Sequence, residues 1–295
     1  MTVEPRPPRP TDPVPAFEAA RREMNRRRRQ QNLLFAAIFL SAIIASLYVG
    51  EVRLGVLLEG LPNLLDYIRQ TMPELHRASL PQDLASWYWA LPRWLGLLGD
   101  TVVMAFTGTL LGAIGGFVLC FPASRNLAPN ATVHFACRRL LEFARTVPEL
   151  VSALVFVYAF GIGPLAGVLA IALHTVGALG KLFAEVNENA DEHSLQGVRA
   201  AGGNWLQAIR FAIVPQVLPN FLSYALLRFE INVRAASVIG FVGAGGIGQE
   251  LLLVIRQFIY PDISAIVLLI ILAVSVIDIS CERLRHGVIG KEALI

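Results

Sequence analysis

Arg228, Glu230, Asn232 and Arg234 fall inside, or at the edge of, a run that is otherwise apolar. A charge placed in hydrocarbon costs about 2.5 to 3.5 kcal/mol on insertion scales, so these side chains must face protein or water. Glu230 and Arg234 are four apart and meet on one helical face, while Arg228 points elsewhere. Two chemistries fit this pattern. One is an internal ion pair that holds its helix in a bundle; the other is a cationic lining, centred on Arg234 with Asn232 and Ser237 beside it, along the path of an anionic solute. His174 and Asp278 also lie in apolar runs and read as hydrogen-bonded packing groups. Arg145 and Glu149 stand one turn apart around Pro148, as a capped helix start or as a contact in a cytoplasmic gate.

Covalent chemistry finds no footing. Ser237 and His174 lack the spacing of a nucleophile and its base, and Cys120, Cys137, Cys281 and the histidines form no metal pattern, so no catalytic residue and no metal is expected. The cysteines read as apolar fillers. Gly243-Ala244-Gly245-Gly246-Ile247-Gly248 spells the dinucleotide fingerprint, but no strand precedes it and it lies between two membrane helices rather than in a βαβ unit. Gly243, Gly245 and Gly246 instead predict a backbone break that lets segments approach closely at or near a pore. Gly180-Lys181 follows Thr175 where a phosphate loop needs glycine, and Leu182 replaces its magnesium-binding hydroxyl. The chain therefore binds no ATP by this route, and any nucleotide site belongs to another subunit.

The elements that position these residues are membrane helices. With 55% hydrophobic and 16% charged residues in 295, the composition predicts an all-α polytopic membrane protein. Runs at 32–49, 100–121, 149–160, 164–182, 219–239 and 263–279 give about six spans, the third short and extendable upstream toward Phe143. Arg26-Arg27-Arg28-Arg29 precede the first span, so both termini are expected in the cytoplasm of a bacterial inner membrane. The first span follows a long Pro-rich and basic stretch without a clean cleavage site, and reads as a helix rather than a leader. Residues 1–31 form a Pro/Arg-rich tail, with 1–15 expected to be disordered. Residues 32–95 hold the first span and an external segment with an amphipathic helix over 54–68 and an aromatic belt of Trp87, Tyr88, Trp89 and Trp94. Residues 96–283 form the membrane-spanning core, and 284–295 a second cytoplasmic tail. The belt reads as membrane anchoring, or as a face that docks a soluble delivery protein.

Between two spans lies a polar insertion, in which Gly202-Gly203-Asn204 breaks one helix and caps a second that Pro215 and Pro219 end. Its Gly202-to-Pro215 spacing resembles the coupling loop of ABC importer permeases. Gln196-Gly197-Val198 stands where that family has Glu-Ala-Ala, so the family's acidic contact becomes a neutral one at Gln196. Further blocks extend the likeness: Arg145 to Leu150, Phe160 to Ala170, Leu179 to Glu185, Pro215 to Pro219, Arg228 to Ala236 and Gly240 to Gly248. Together they look like the permease subunit of phosphonate ABC transporters.

The resemblance implies a type I importer: two permease copies in the lipid bilayer, two cytoplasmic ABC ATPases carrying ATP and Mg, and an external substrate-binding protein. It implies alternating access, in which the loop around Gly202, Gly203, Asn204 and Pro215 follows the ATPase. A permease for phosphate, phosphite or an amino acid is the competing reading within the same fold. No nucleic-acid partner is expected.

Overall fold

The computed structural model describes residues 13–51, 54–73, 76 and 79–289. All regular structure among them is helical. The chain divides into residues 1–67 and 68–295. Most of the Pro-rich stretch, residues 1–12, and Lys291 in the C-terminal tail lie outside the described residues.

In the first unit, α1 runs from Pro13 to Val49 without interruption. The basic segment is thus a helical extension of the first span, and the expected tail gives way to helix at Pro13, a residue suited to a first turn. Its pairs Arg22–Glu18 and Arg27–Glu23 are four apart on exposed helix. The stretch Arg21–Val49 is long and apolar enough to cross a membrane and buries nothing within the chain. The amphipathic helix expected next is present as α2, Leu54–Thr71.

In the second unit, α3 (Leu80–Trp87) leads into α4 (Leu91–Ala123). Next come α5 (Ala131–Thr146), α6 (Glu149–Phe160) and α7 (Pro164–Glu188). Helices α4 and α7 each pass as spans, as does α12 (Tyr260–Ile289) over Tyr260–Gly287; α10 with α11 passes as a bent pair at 47°. With α1 this makes five. Twelve-residue α6 covers only ~18 Å at 1.5 Å per residue, short of a bilayer. It continues α5 across Val147-Pro148, where proline stops the helical ladder. Arg138 of α5 pairs with Glu188 at the end of α7, and the other end of α6 turns through Gly161–Gly163 into the start of α7. Together α5 and α6 therefore run the length of α7, but α5 carries Arg138, Arg139, Glu142 and Arg145, so among the described residues five spans, not the expected six, are long and apolar enough to cross a membrane.

Small residues set the packing of α4, α5 and α7. A Cβ on Gly116 would stand 2.9 Å from the Gly180 backbone nitrogen, and one on Gly177 2.6 Å from the Leu141 carbonyl oxygen. The glycines that imitate a phosphate loop are thus helix-packing residues, as lipid-embedded helices use them. The aromatic belt is corrected in part. Trp94 is 1% exposed in a core with Ile247, Leu251 and Ile266, while Trp87 Nε1 donates to the Pro261 carbonyl at 3.0 Å and Trp89 Nε1 to Asp262. These indoles fasten α3 and α4 onto the start of α12, because buried or half-buried N–H groups need an acceptor.

Candidate functional site

Two features carry the residues singled out in the sequence: a polar loop at one end of the α4–α7–α10 bundle, and a layer of charges at its mid-depth.

The loop opens with α8 (Glu192–Ala200), whose N-cap Asp191 accepts from His193 N; that backbone bond holds its carboxyl below the usual range. Gly202 has φ +83, a left-handed conformation that releases the chain from α8, and nothing lies within 4 Å of where its side chain would be. Asn204 then caps α9 (Trp205–Ala208) in a reciprocal box with Gln207. Contrary to expectation, Pro215 does not end this helix. The chain passes through a π turn, Ile209–Ile213, straight into α10 (Val214–Ile239), with Pro215 in its first turn and Pro219 inside it. The Val214 amide bonds the Ile209 carbonyl five residues back, and this widened turn makes room for a residue that has no N–H to donate. Leu195, Ala208, Ile209 and Ile213 are buried with Phe121, Leu179, Phe183 and Phe221, while Trp205 Nε1 donates to the Leu127 carbonyl at 2.6 Å. Gln196, Gly202 and Asn204 stay exposed. The loop thus shows a polar outer face on a base locked to the ends of α4, α7 and α10.

At mid-depth, α10 turns polar groups in three directions. Asn232, fully buried, donates from Nδ2 to Thr109 Oγ1 of α4 at 2.8 Å and Thr175 Oγ1 of α7 at 2.9 Å. Ser237 is buried and bonds the Val233 carbonyl one turn back. Both are corrected from lining to packing positions, since neither faces open space.

Glu230 pairs with Arg234, as the spacing predicted, and α12 completes the group: Arg234 lies 3.6 Å from Asp278, and Glu230 4.0 Å from Arg285. Two acids and two arginines cancel. Arg234 and Asp278 remain half-exposed.

The third direction holds what the sequence left apart. Arg228 Nη2 donates to Glu149 Oε1 at 2.6 Å; His174 Nδ1 stands 2.8 Å from the same oxygen and in contact with Arg228. His174 is the eleventh residue of α7, ~15 Å from its start, so this cluster sits about midway along that helix. Arg145 is exposed and its backbone packs against Gly177; the acid at Glu149 answers Arg228, not Arg145. One signal was available: Glu149 and His174 are the residues of the two apolar segments 149–160 and 164–180 that can carry a charge near neutral pH, and each calls for a partner.

The glycine break is present. After Ile239 a short 3-10 turn, Gly240–Val242, leads through Gly243 (φ +94), Gly245 (φ +85) and Gly246 (φ +70) into α11 (Gly246–Arg256). Gly163 N donates to the Gly243 carbonyl, and Ile247 N to Thr101 Oγ1. The turn is therefore bonded to α4 and to the α6–α7 connection. Among the described residues no group of His, Cys, Asp and Glu could hold a metal ion.

Comparison with known proteins gives this arrangement its context. A family model described as the binding-protein-dependent transport system inner membrane component matches residues 108–288. The chain is 39% identical over 250 residues to the phosphite transport system permease protein PtxC of Stutzerimonas stutzeri, covering 85% of this chain and 86% of that one. It is 41% identical to the phosphate-import permease protein PhnE of Mycolicibacterium smegmatis over 66% of this chain and 37% of the relative. In fold it resembles the MetNI methionine ABC transporter in inward-facing conformations, with a TM-score of 0.57 at 21% identity over 68% of this chain and 96% of that one.

Proposed function

The chain belongs to the family of binding-protein-dependent transport system inner membrane components, and on that premise we propose that it is the permease of an importer for phosphonate or a related phosphorus oxyanion. The observation that carries the substrate class is the 39% identity with a phosphite permease over 85% of the chain. Cationic side chains at mid-depth, Arg228 and Arg234, agree with an anionic cargo. Two copies would enclose the path, with the charged faces of α10, the break at Pro148 and the glycine turn bordering it. Two ATPases would carry ATP and Mg, and an external binding protein would deliver the solute at the Trp87–Trp94 end.

Coupling follows from rigidity. A loop whose base is buried with the ends of three spans passes a displacement to them without deforming, and a ligand shifts the two access states only by its differential affinity for them. Gly202→Asp adds a charge at an exposed left-handed position with open space around it; the backbone strain is modest because Asp is among the side chains that adopt this conformation, so the docking face changes more than the fold. In proteoliposomes holding the full importer, phosphonate- or phosphite-dependent uptake is expected to fall at least tenfold at unchanged permease yield. Retained ATPase binding together with full substrate-stimulated uptake would remove the docking assignment. Uptake of methylphosphonate, phosphite and phosphate by the same wild-type vesicles tests the substrate class. Transport of none of the three defeats it.

The orientation has its own check. Gln82 and Asn204 are exposed at opposite ends of the bundle. With Cys120, Cys137 and Cys281 replaced, an impermeant maleimide applied to intact cells should modify Gln82→Cys and spare Asn204→Cys. Equal modification of both overturns the placement of these two ends on opposite sides of the membrane.

A further inference from the structure

Helix α6 begins beside the midpoint of α7, where Pro148 interrupts the helical path that α5 starts. A helix start leaves amides with no partner in the helix. Here the Val151 and Ser152 amides bond the Pro148 carbonyl, no side chain caps the end, and the first-turn amides of Glu149 and Leu150 have no hydrogen-bond partner among the described residues. Such half-helix starts within a membrane attract anions. Arg228 stands beside this one with capacity to spare: Nη2 is engaged by Glu149, while Nε is buried with no hydrogen-bond partner among the described residues.

Within the single chain the side chains of Arg228, Glu149 and His174 keep 13%, 18% and 20% exposure. Charges at this depth do not open toward lipid, so the open side of the cluster meets water or the other permease copy. From this geometry we propose that the start of α6, Arg228 and His174 form an oxyanion site midway along α7, in which the Glu149 carboxylate occupies the place that the transported anion takes. The proposal rests on the phosphorus-oxyanion reading above. An arriving oxyanion takes over the guanidinium donors and the free amides, and Glu149 turns toward the open side; no covalent bond forms or breaks. A resident carboxylate keeps the site weak, and a transport path needs its sites weak enough to release what enters them. The arginine fork suits the oxygens of a phosphonate or phosphate better than a point charge would.

The test uses the complete permease–ATPase complex without its binding protein, and radiolabelled inorganic phosphate and methylphosphonate as probes. Glu149→Gln is expected to tighten binding about tenfold over wild type, by removing the competing carboxylate while leaving Arg228 in place. Arg228→Gln, and Glu149→Gln combined with it, are expected to bind neither probe. No gain in Glu149→Gln, or a double variant that binds as tightly as Glu149→Gln, overturns the site. Should Glu149→Gln fail to assemble, Glu149→Asp, whose shorter carboxylate reaches Arg228 less well, must show a gain in the same direction; no gain again overturns it. The two readings separate cleanly. A wild-type importer that takes up no phosphorus oxyanion, with Glu149→Gln still binding phosphate, defeats the substrate reading and leaves the site. Strong wild-type uptake with no gain in Glu149→Gln defeats the site alone.

Discussion

Gly248→Ala is expected to abolish recovery of folded permease, although it adds one methyl group. A Cβ at Gly248 would lie 1.9 Å from the Ser237 carbonyl oxygen and 3.2 Å from the Gly240 Cα. Both are backbone atoms, so no side chain can rotate away. Relief requires separating α11 from the end of α10, which also pulls Ile247 N from Thr101 Oγ1. Overpacking of a core commonly costs 1–3 kcal/mol, and a clash with backbone on two sides places this variant at roughly 3 kcal/mol or more. Gly197→Ala is the control: it lies within α8 with nothing within 4 Å, and alanine favours helix by about 1 kcal/mol. Monodisperse yield in detergent and thermal melting should show Gly248→Ala lost and Gly197→Ala at or above wild type. Normal yield and melting of Gly248→Ala would mean that this corner does not pack as described.

How far the sequence reached depended on whether a feature was local. The break at Gly243–Gly246 was legible because only glycine tolerates successive positive φ values, and the cap at Asn204 because its chemistry acts within three residues. Glu230 with Arg234 was legible for the same reason, being one helical turn apart. The joining of Glu149, His174 and Arg228 was not, because it links residues 54 and 79 positions apart on three helices. Asn232 was misplaced on the path since spacing alone cannot tell a face turned to Thr109 and Thr175 from one turned to water. Pro215 was misread as a stop because a π turn can absorb a proline that an α turn rejects, and such a bulge leaves little trace in composition. Trp94 looked like a membrane anchor by its neighbours, yet α11 and α12 fold over it.

Single removal of Glu230 is expected to be nearly as damaging as the glycine clash, and its rescue tells packing from transport. Glu230, Arg234, Asp278 and Arg285 sum to zero charge between α10 and α12. Glu230→Gln leaves a net positive charge at a position only 15% exposed, and breaking one partner of such a group costs on the order of 3 kcal/mol. Arg234→Gln leaves the opposite charge, at a more exposed position, and should cost less. Combining the two returns the group to neutrality through Asp278 and Arg285, so assembly and melting temperature should recover to near wild type, a non-additivity of 1–3 kcal/mol. Equal losses that simply add would show that the four side chains do not act as one group. With assembly restored, uptake isolates the second role. Half-exposed Arg234 at mid-depth attracts an anion over a longer range than Arg228 contacts it, and that attraction grows with the anion's charge. The double variant should therefore transport several-fold more slowly than wild type, with the larger defect for dianionic methylphosphonate at high pH than for the same solute as a monoanion. Wild-type uptake by a fully assembled double variant would take Arg234 off the path and leave the four charges as a lock between α10 and α12.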